Sequence, residues 1–313
     1  MKSKQGKISI QMVADIFGVS KSVAFQWQKN GKLRTFDDNK TGKEFVLLDD
    51  LKNYKEAEFL FNTSWFQEEF VEPKKQYTSV ELFAGAGGLA LGLEQAGVHH
   101  VLLNEIDKDA CATLKLNRPS WNIINDDVRN IDFNDYKGVD LVSGGFPCQA
   151  FSYAGHKLGF KDTRGTLFYE FARAVKQIKP KVILAENVRG LISHEKGRTL
   201  ETIKNTVDEI GYKLVEPKIL KALFYKVPQK RERLFLIALR KDLAGSVKFK
   251  YPERYPGVFT LKDALKAGQL YNDDVPVSPG QVYPKRKKEI LSKVPPGGYW
   301  KDLPENLQKE FML

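Results

Sequence analysis

Cysteine and histidine are scarce in this sequence. Its 313 residues include 2 cysteines and 4 histidines. Two cysteines supply no disulfide framework and point to a reducing compartment. The histidines form no Cys/His cluster, which argues against a structural zinc site, and no metal is expected. Long apolar runs are also missing. No stretch reaches membrane-spanning length, and the polar, basic N-terminus has no signal-peptide hydrophobic region. A cytoplasmic protein without membrane contact is expected. Acidic residues are outnumbered: the net charge is +11. That balance favours a polyanionic partner and suits nucleic acid.

What is present centres on Ser143-Gly144-Gly145-Phe146-Pro147-Cys148-Gln149-Ala150-Phe151-Ser152. An apolar run, Val139 to Ser143, feeds a Gly-Gly turn that ends in Pro-Cys-Gln. In an open α/β sheet, ligands bind at the carboxyl ends of the strands. Gly144 and Gly145 allow a sharp turn and a close approach. Pro147 fixes φ just before the thiol. A free cysteine most often packs in a core; this setting reads instead as a positioned nucleophile.

Residues 8 to 60 read as a small separate unit. Residues 8 to 20 form a short helix, a glycine and the capping Ser20; a second helix runs from Lys21 to Asn30 and carries Val23, Ala24 and Trp27. Helix, tight turn and helix match the DNA-binding helix-turn-helix pattern. A polar turn at 37–43, a short strand at 44–48 and a third helix after Leu51 complete a unit that resembles the winged helix-turn-helix of excisionase and MerR-type proteins. Lys21, Ser22, Gln26 and Lys29 would face DNA. A three-helix protein-interaction module is the alternative reading. Phe61, Trp65, Phe66 and Phe70 then mix with charges in a linker, 61–76, whose aromatics pack on a neighbouring domain.

Tyr77 to Phe83 reads as a buried strand that runs into Ala84-Gly85-Ala86-Gly87-Gly88, a helix from Leu89 to Ala96, and a second strand ending at Glu105. Glycines let backbone approach a ligand at a helix N-terminus. Glu105 lies twenty positions after Gly85 (105 minus 85), the usual place for a carboxylate that accepts ribose hydroxyls. The loop lacks the full G-x-G-x-x-G, which suits an adenosine-containing cofactor without pyrophosphate. A third strand, Ile123 to Asp127, ends in acids, and Asp127 can accept from an adenine amine or serve a solvated turn. Thr166 to Ile178 is an amphipathic helix. Val182 to Ala185 is a strand running into Glu186-Asn187-Val188, where a carboxylate at a buried strand end must be paired or used. Arg198 to Ile210 is a helix, and Gln229-Lys230-Arg231-Glu232-Arg233 precedes a strand from Leu234 to Leu239. This alternation predicts an α/β fold with a doubly wound, mainly parallel sheet, preceded by the small helix-turn-helix domain.

Phe83-Ala84-Gly85-Ala86-Gly87-Gly88, Gly145-Phe146-Pro147-Cys148-Gln149, Glu186-Asn187-Val188 and Gln229-x-Arg231-x-Arg233 stand in the order and spacing of C5-cytosine DNA methyltransferases. The sequence resembles that family from about residue 77 to 240. The resemblance implies the S-adenosyl-methionine-dependent methyltransferase fold and methylation of cytosine C5 in duplex DNA, as the modification component of a bacterial restriction-modification system. Cytosine C5 is a poor nucleophile. A thiolate adding to C6, the role implied for Cys148, makes C5 nucleophilic toward a methyl sulfonium. Its pKa must fall for this, through neighbouring positive charge. Glu186, protonated or sharing a proton, would hold cytosine N3 and the exocyclic amine. Arg231 and Arg233 would brace the base and the Cys148 loop, and Gln229 would help set that loop. The base must be flipped out of the duplex. S-adenosyl-methionine would meet Phe83, Gly85, Gly87, Glu105, Ile106, Asp127, Val128, Pro147 and Leu167. Ser152 to Thr163 matches the family's loop that closes over flipped DNA, with Ser152, Lys157, Lys161 and Arg164 suited to the DNA.

The expected division is 1–60 helix-turn-helix, 61–76 linker, 77–245 catalytic domain and 246–313 the opening of a target recognition region, including Pro295-Pro296-Gly297-Gly298. The two late family motifs do not follow. Either a second polypeptide supplies them, in a heterodimer, or the chain is a shortened product; the partner chain is the expectation taken forward. The alternative from another class is a DNA-binding transcription regulator with a catalytically incomplete methyltransferase body. Every catalytic candidate lies after residue 76, so deleting residues 1–60 is expected to leave methylation nearly intact.

Overall fold

A computed structural model describes residues 6–38, 43–68, 71–147, 167–257, 284–294 and 299–311. The chain divides into two compact units, Met1–Leu261 and Lys262–Leu313.

The first unit opens with β1 (Lys7–Ser9) rather than a helix. Ser9 is extended, and its hydroxyl accepts the Met12 N–H at 3.2 Å, which starts α1 (Ile10–Phe17). Gly18, at φ 67°, ends α1 in the left-handed region that suits glycine. Ser20 then caps α2 (Lys21–Lys29) by accepting the Val23 N–H at 3.3 Å. β2 (Phe36–Asp38) and β3 (Lys43–Leu47) follow, and the three strands pair antiparallel in the order β1-β3-β2. Where a third α-helix is expected, the chain makes two 3₁₀ turns, Leu48–Leu51 and Lys55–Leu60. Leu48, Leu51, Tyr54, Ala57 and Leu60 recur every third residue, and a three-residue period is that of a 3₁₀ helix.

This region does not close a core by itself. Val13, Ile16, Leu33, Val46, Leu51, Ala57, Phe59 and Leu60 form one buried cluster with Leu223 and Phe224. The stretch read as a linker is also fastened. It contains α3 (Trp65–Glu68), whose Trp65 ring meets the Tyr255 ring edge-on at 5.5 Å. The Thr63 hydroxyl donates to the Arg254 carbonyl at 2.8 Å, and Glu68 accepts from Lys250 Nζ at 2.9 Å.

The large sheet is built from β4 (Tyr77–Leu82), β5 (Val98–Glu105), β6 (Ile123–Asn125), β7 (Leu141–Gly144), β8 (Val182–Val188), β9 (Tyr212–Leu214), β10 (Lys218–Lys221) and β11 (Glu232–Arg240). Its 8 strands run in the order β10-β11-β8-β7-β4-β5-β6, with β9 also on β11. β6, β5, β4, β7 and β8 are parallel; β11 joins β8 antiparallel, as β9 and β10 join β11. The crossovers carry α4 (Gly88–Gln95), α5 (Lys108–Asn117), α6 (Leu167–Ile178) and α7 (Arg198–Glu209). Both faces are covered, as parallel sheets require. Neighbouring residues of β5 show it: Leu102 packs in the cluster of Phe168, Phe171 and Ile203, while Leu103 packs with Ala90 and Leu114. α6 buries Phe168, Phe171, Ala172, Val175 and Ile178 on one helical face.

In the second unit, α8 (Lys285–Leu291) and α9 (Glu305–Phe311) enclose Ile290, Leu303 and Leu307. Among the described residues no helix is long and apolar enough to cross a membrane.

Candidate active site

The carboxyl ends of the parallel strands bring the glycine loop, Glu105, Gly145 and Glu186 to one edge of the sheet. β4 leaves through Phe83 at φ 58°, an uncommon conformation for a residue with a side chain, and then through Gly85 at φ 55° and Gly87 at φ 89°. A Cβ on Gly87 would stand 2.5 Å from Leu114 Cδ2, so α4 can begin this close to α5 only from a glycine. Glu105 closes the turn. Its Oε2 accepts the Gly85 N–H at 2.7 Å, and its Oε1 accepts the Ile106 and Asp107 N–H groups, each at 2.9 Å. The carboxylate read from the sequence as a ribose acceptor is therefore also the brace of the glycine loop. Ile106 beside it is 64% exposed, an apolar side chain that a flat ligand could cover.

Asp127 stands beyond β6, where its Oδ2 lies 2.5 Å from Arg129 Nη2 and its Oδ1 caps the Arg129 N–H at 3.0 Å. The hydrogen bonds from Arg129, side chain first, hold the Asp127 carboxyl down at about 2. The Val128 side chain lies in the core and its carbonyl accepts from Arg173 at 2.8 Å. A left-handed glycine loop at a helix start, an anchored carboxylate and an exposed apolar neighbour fit an adenosine-bearing cofactor.

The nucleophile's approach comes next along the sheet. A Cβ on Gly144 would lie 2.6 Å from the Leu82 carbonyl oxygen, so β7 fits against β4 only with glycine there. Phe146 is buried against Phe168 and Phe171, with ring centres 5.1 and 5.7 Å away. The buried Asn187 donates its Nδ2 to the Phe146 carbonyl at 2.8 Å. That bond fixes the chain two residues before Cys148. The sequence singled out the Glu186-Asn187-Val188 motif but gave Asn187 no role; a buried amide in a strand demands a partner, and that was the available signal. Pro147 is exposed and Leu167 half-buried at the start of α6. Cys148, Gln149, Ser152, Lys157, Lys161 and Arg164 lie outside the described residues. The other cysteine, Cys111, is buried and donates to the Glu105 carbonyl at 3.4 Å; burial pushes its thiol pKa up.

The β8–β11 register assembles the remaining groups. Arg233 lies opposite Val188 and Phe235 opposite Glu186, which puts Arg233 and Glu186 diagonally on one face. Arg233 Nε stands 2.8 Å from Glu186 Oε1, and Arg231 Nη2 stands 3.6 Å from the same oxygen. The other oxygen, Oε2, faces Gly145, where a Cβ would lie 3.4 Å away. One oxygen is thus held by guanidinium, and the second sits beside the turn that leads to Cys148. Gln229 is exposed, and its N–H bonds the Val227 carbonyl at 2.8 Å. Far along the chain, Lys21, Ser22, Gln26 and Lys29 are all exposed on α2. Among the described residues no group of three or more His, Cys, Asp or Glu could hold a metal ion.

Comparison with known proteins places the chain among related sequences. The family model for C-5 cytosine-specific DNA methylases matches residues 77–292. The Type II methyltransferase M.Eco47II of Escherichia coli is 59% identical over 308 residues, covering 98% of this chain and 74% of that protein. M.PspPI of Psychrobacter is 54% identical, covering 100% of this chain and 76% of the relative. A crystal structure of a candidate DNA modification methyltransferase encoded within an Escherichia coli prophage is 29% identical at a TM-score of 0.51, with 61% of this chain and 55% of that chain covered.

Proposed function

This chain belongs to the C-5 cytosine-specific DNA methylase family and is a DNA cytosine-5 methyltransferase; on that premise we propose that it methylates a cytosine flipped out of duplex DNA, as the modification component of a bacterial restriction-modification system, in the cytoplasm. The observation that carries the reading is the Glu186 carboxyl, held at one oxygen by Arg233 Nε at 2.8 Å beside the turn toward Cys148. A carboxyl fixed in this way can present its other oxygen to the edge of a cytosine. Holding N3 and the exocyclic amine offsets the charge that builds on the ring as a thiolate adds to C6. Cys148 is that thiolate. It forms a bond to C6, which places electron density on C5. After C5 is methylated, a base removes the C5 proton, the C6–S bond breaks and the thiolate returns. Arg231 and Arg233 brace Glu186, and Gln229 supports the segment that carries them.

S-adenosyl-methionine, the donor that the family implies, supplies the methyl group when bound. Phe83, Gly85, Gly87, Glu105, Ile106, Asp127, Val128, Pro147 and Leu167 are the residues proposed to hold it. Ser152, Lys157, Lys161 and Arg164 would meet the DNA around the flipped base. Residues 1–60 are proposed as a helix-turn-helix that places Lys21, Gln26 and Lys29 on DNA. They precede the 61–76 connection, a catalytic domain at 77–245 and the recognition region from 246 onward.

A duplex carrying 5-fluorocytosine tests the core of this proposal, because fluorine at C5 cannot leave as a proton and the C6–S bond persists. Crosslinking to Cys148 is expected, and Cys148→Ser should abolish it while DNA binding survives, since a hydroxyl is far less ionised than a thiol. A crosslink at Cys111 would overturn the assignment. The assay is run on the chain alone and with a second polypeptide matching the remaining quarter of the relatives' length, so that the partner expected from the sequence is one of its arms.

A further inference from the structure

Asp15 lies in the last turn of α1, the negative end of the helix dipole, where a carboxylate is disfavoured unless cations meet it. Its side chain is only 10% exposed. Two lysines from the methyltransferase sheet meet it. Lys221 Nζ, on a side chain 15% exposed, donates to Oδ1 at 3.2 Å and reaches the Asp15 carbonyl at 3.5 Å. Lys230 Nζ stands 2.6 Å from Oδ2, a close ion pair without hydrogen-bond direction. Lys221 ends β10 directly opposite Glu232 of β11, and its Nζ is 3.6 Å from that carboxylate. Glu232 also accepts from Arg189 at 2.7 Å.

These contacts border the arginine motif. Side chains alternate along an extended chain. Lys230 and Glu232 join the ion-pair cluster around Asp15, and the interleaved Arg231 and Arg233 turn to Glu186. Exposed ion pairs alone would hold such a segment weakly. Here the shared burial of Val13, Ile16, Phe59, Leu223 and Phe224 fixes α1 against the sheet, so the Asp15 carboxylate is delivered to a set place.

We propose that Asp15 is a positioning residue for the methyl-transfer site. Through Lys230, and through Lys221 and Glu232, it fixes the short segment that presents Arg231 and Arg233 to Glu186. The N-terminal region is then a working part of the catalytic site and not a detachable DNA-binding module. The inference rests on the roles proposed above for Glu186, Arg231 and Arg233. Neutralising Asp15 leaves Lys221 mostly buried with a single distant carboxylate. Relief comes from moving Lys221 toward Glu232 and releasing Lys230, and both movements turn the backbone that carries the arginines.

The test uses the full chain labelled with ¹⁵N-arginine and reads solvent exchange of the Arg233 Nε–H, assigned by its loss in Arg233→Lys. This reading needs no turnover. Asp15→Asn should raise the Arg233 Nε–H exchange rate by roughly tenfold, the equivalent of one weakened charge-assisted hydrogen bond, with the circular dichroism spectrum unchanged. Asp15→Glu should restore it. Glu186→Gln is run beside them and should speed exchange whatever Asp15 does. If Glu186→Gln has no effect, the Glu186–Arg233 pair falls, and the inference with it. If Glu186→Gln speeds exchange and Asp15→Asn does not, the inference alone is overturned. Should Asp15→Asn unfold the N-terminal core, Lys230→Gln, on a side chain 53% exposed, removes the same pair from its outer end; unchanged Arg233 exchange there is equally fatal to the inference.

Discussion

Deleting residues 1–60 should destabilise the methyltransferase sheet itself. Leu223 and Phe224, on the sheet side of the junction, are each 4% exposed, and they are buried in one cluster with Val13, Ile16, Leu51, Phe59 and Leu60, with Arg254 also over the Phe224 ring. Returning a leucine and a phenylalanine to water costs ~1.5–3 kcal/mol apiece, so the deletion forfeits about 3–6 kcal/mol before any ion pair is counted. A domain is stable by only ~5–15 kcal/mol in total. In a chain of this size each kcal/mol moves the melting point by roughly 2–4 °C, so a fall on the order of 10 °C is expected. Differential scanning calorimetry of the full chain and of residues 61–313 measures it, and a dye that binds exposed apolar surface should light up the shorter protein. A melting point within about 2 °C of the full chain, with no dye binding, would show that the shared cluster contributes nothing. Cluster burial as an energetic argument would then fail here.

Two further outcomes follow from the sheet. Gly144→Ala places a methyl 2.6 Å from the Leu82 carbonyl, which is fixed inside the sheet, and 3.2 Å from the buried Phe171 ring of α6; a loss of about 1–3 kcal/mol or more in urea unfolding is expected. Gly190→Ala, with nothing within 4 Å, is the control and should stay within ~0.5 kcal/mol. Glu81, 1% exposed in β4, is pushed up from 4.5 to about 7 by burial, against the opposing hydrogen bond from Ser143. Below pH 4.5 it is neutral folded and unfolded. As pH rises from 4.5 through 7 the unfolded chain releases its proton first, and stability falls by about 3 kcal/mol. Glu81→Gln should remove most of that fall between pH 5 and pH 8. Parallel pH profiles of the urea midpoint for variant and wild type would refute it.

The central sheet was legible in the sequence because its strands are apolar runs with abrupt polar ends. Val182 to Ala185 and Val139 to Ser143 mark where β8 and β7 lie, although β8 runs on through Glu186, Asn187 and Val188, and β7 starts two residues later, at Leu141, and takes in Gly144. Short elements carried no such signal. β9 and β10 have 3 and 4 residues and exist through pairing with β11 rather than through their own pattern. β1 was hidden because Ser9 caps a helix, and the cap residue is itself extended. In the site, residue types pointed to the glycine loop, Glu105, Glu186 and the arginines. What they could not give was division of labour, such as Glu105 bracing Gly85 or Asn187 holding Phe146. Asp15 was beyond reach on any local pattern, since it meets Lys221 across 206 positions.

The antiparallel join between β8 and β11 has a consequence for how this chain can vary. Glu186 and Arg233 face each other only because Val188 pairs with Arg233 and Glu186 with Phe235. The side-chain period of a strand is two, so an insertion of one residue inside β11 would put Leu234 where Arg233 stands and turn the guanidinium to the opposite face. Between Arg189 and Lys230 the same ruler applies only where the chain pairs with β11, in β9 and β10. Lengthening is therefore tolerable in that excursion at positions outside β9, β10 and the buried Leu223 and Phe224, while within β8 and β11 a single-residue gain or loss is intolerable. Natural variants of this chain should differ in length between those strands and agree to the residue inside them.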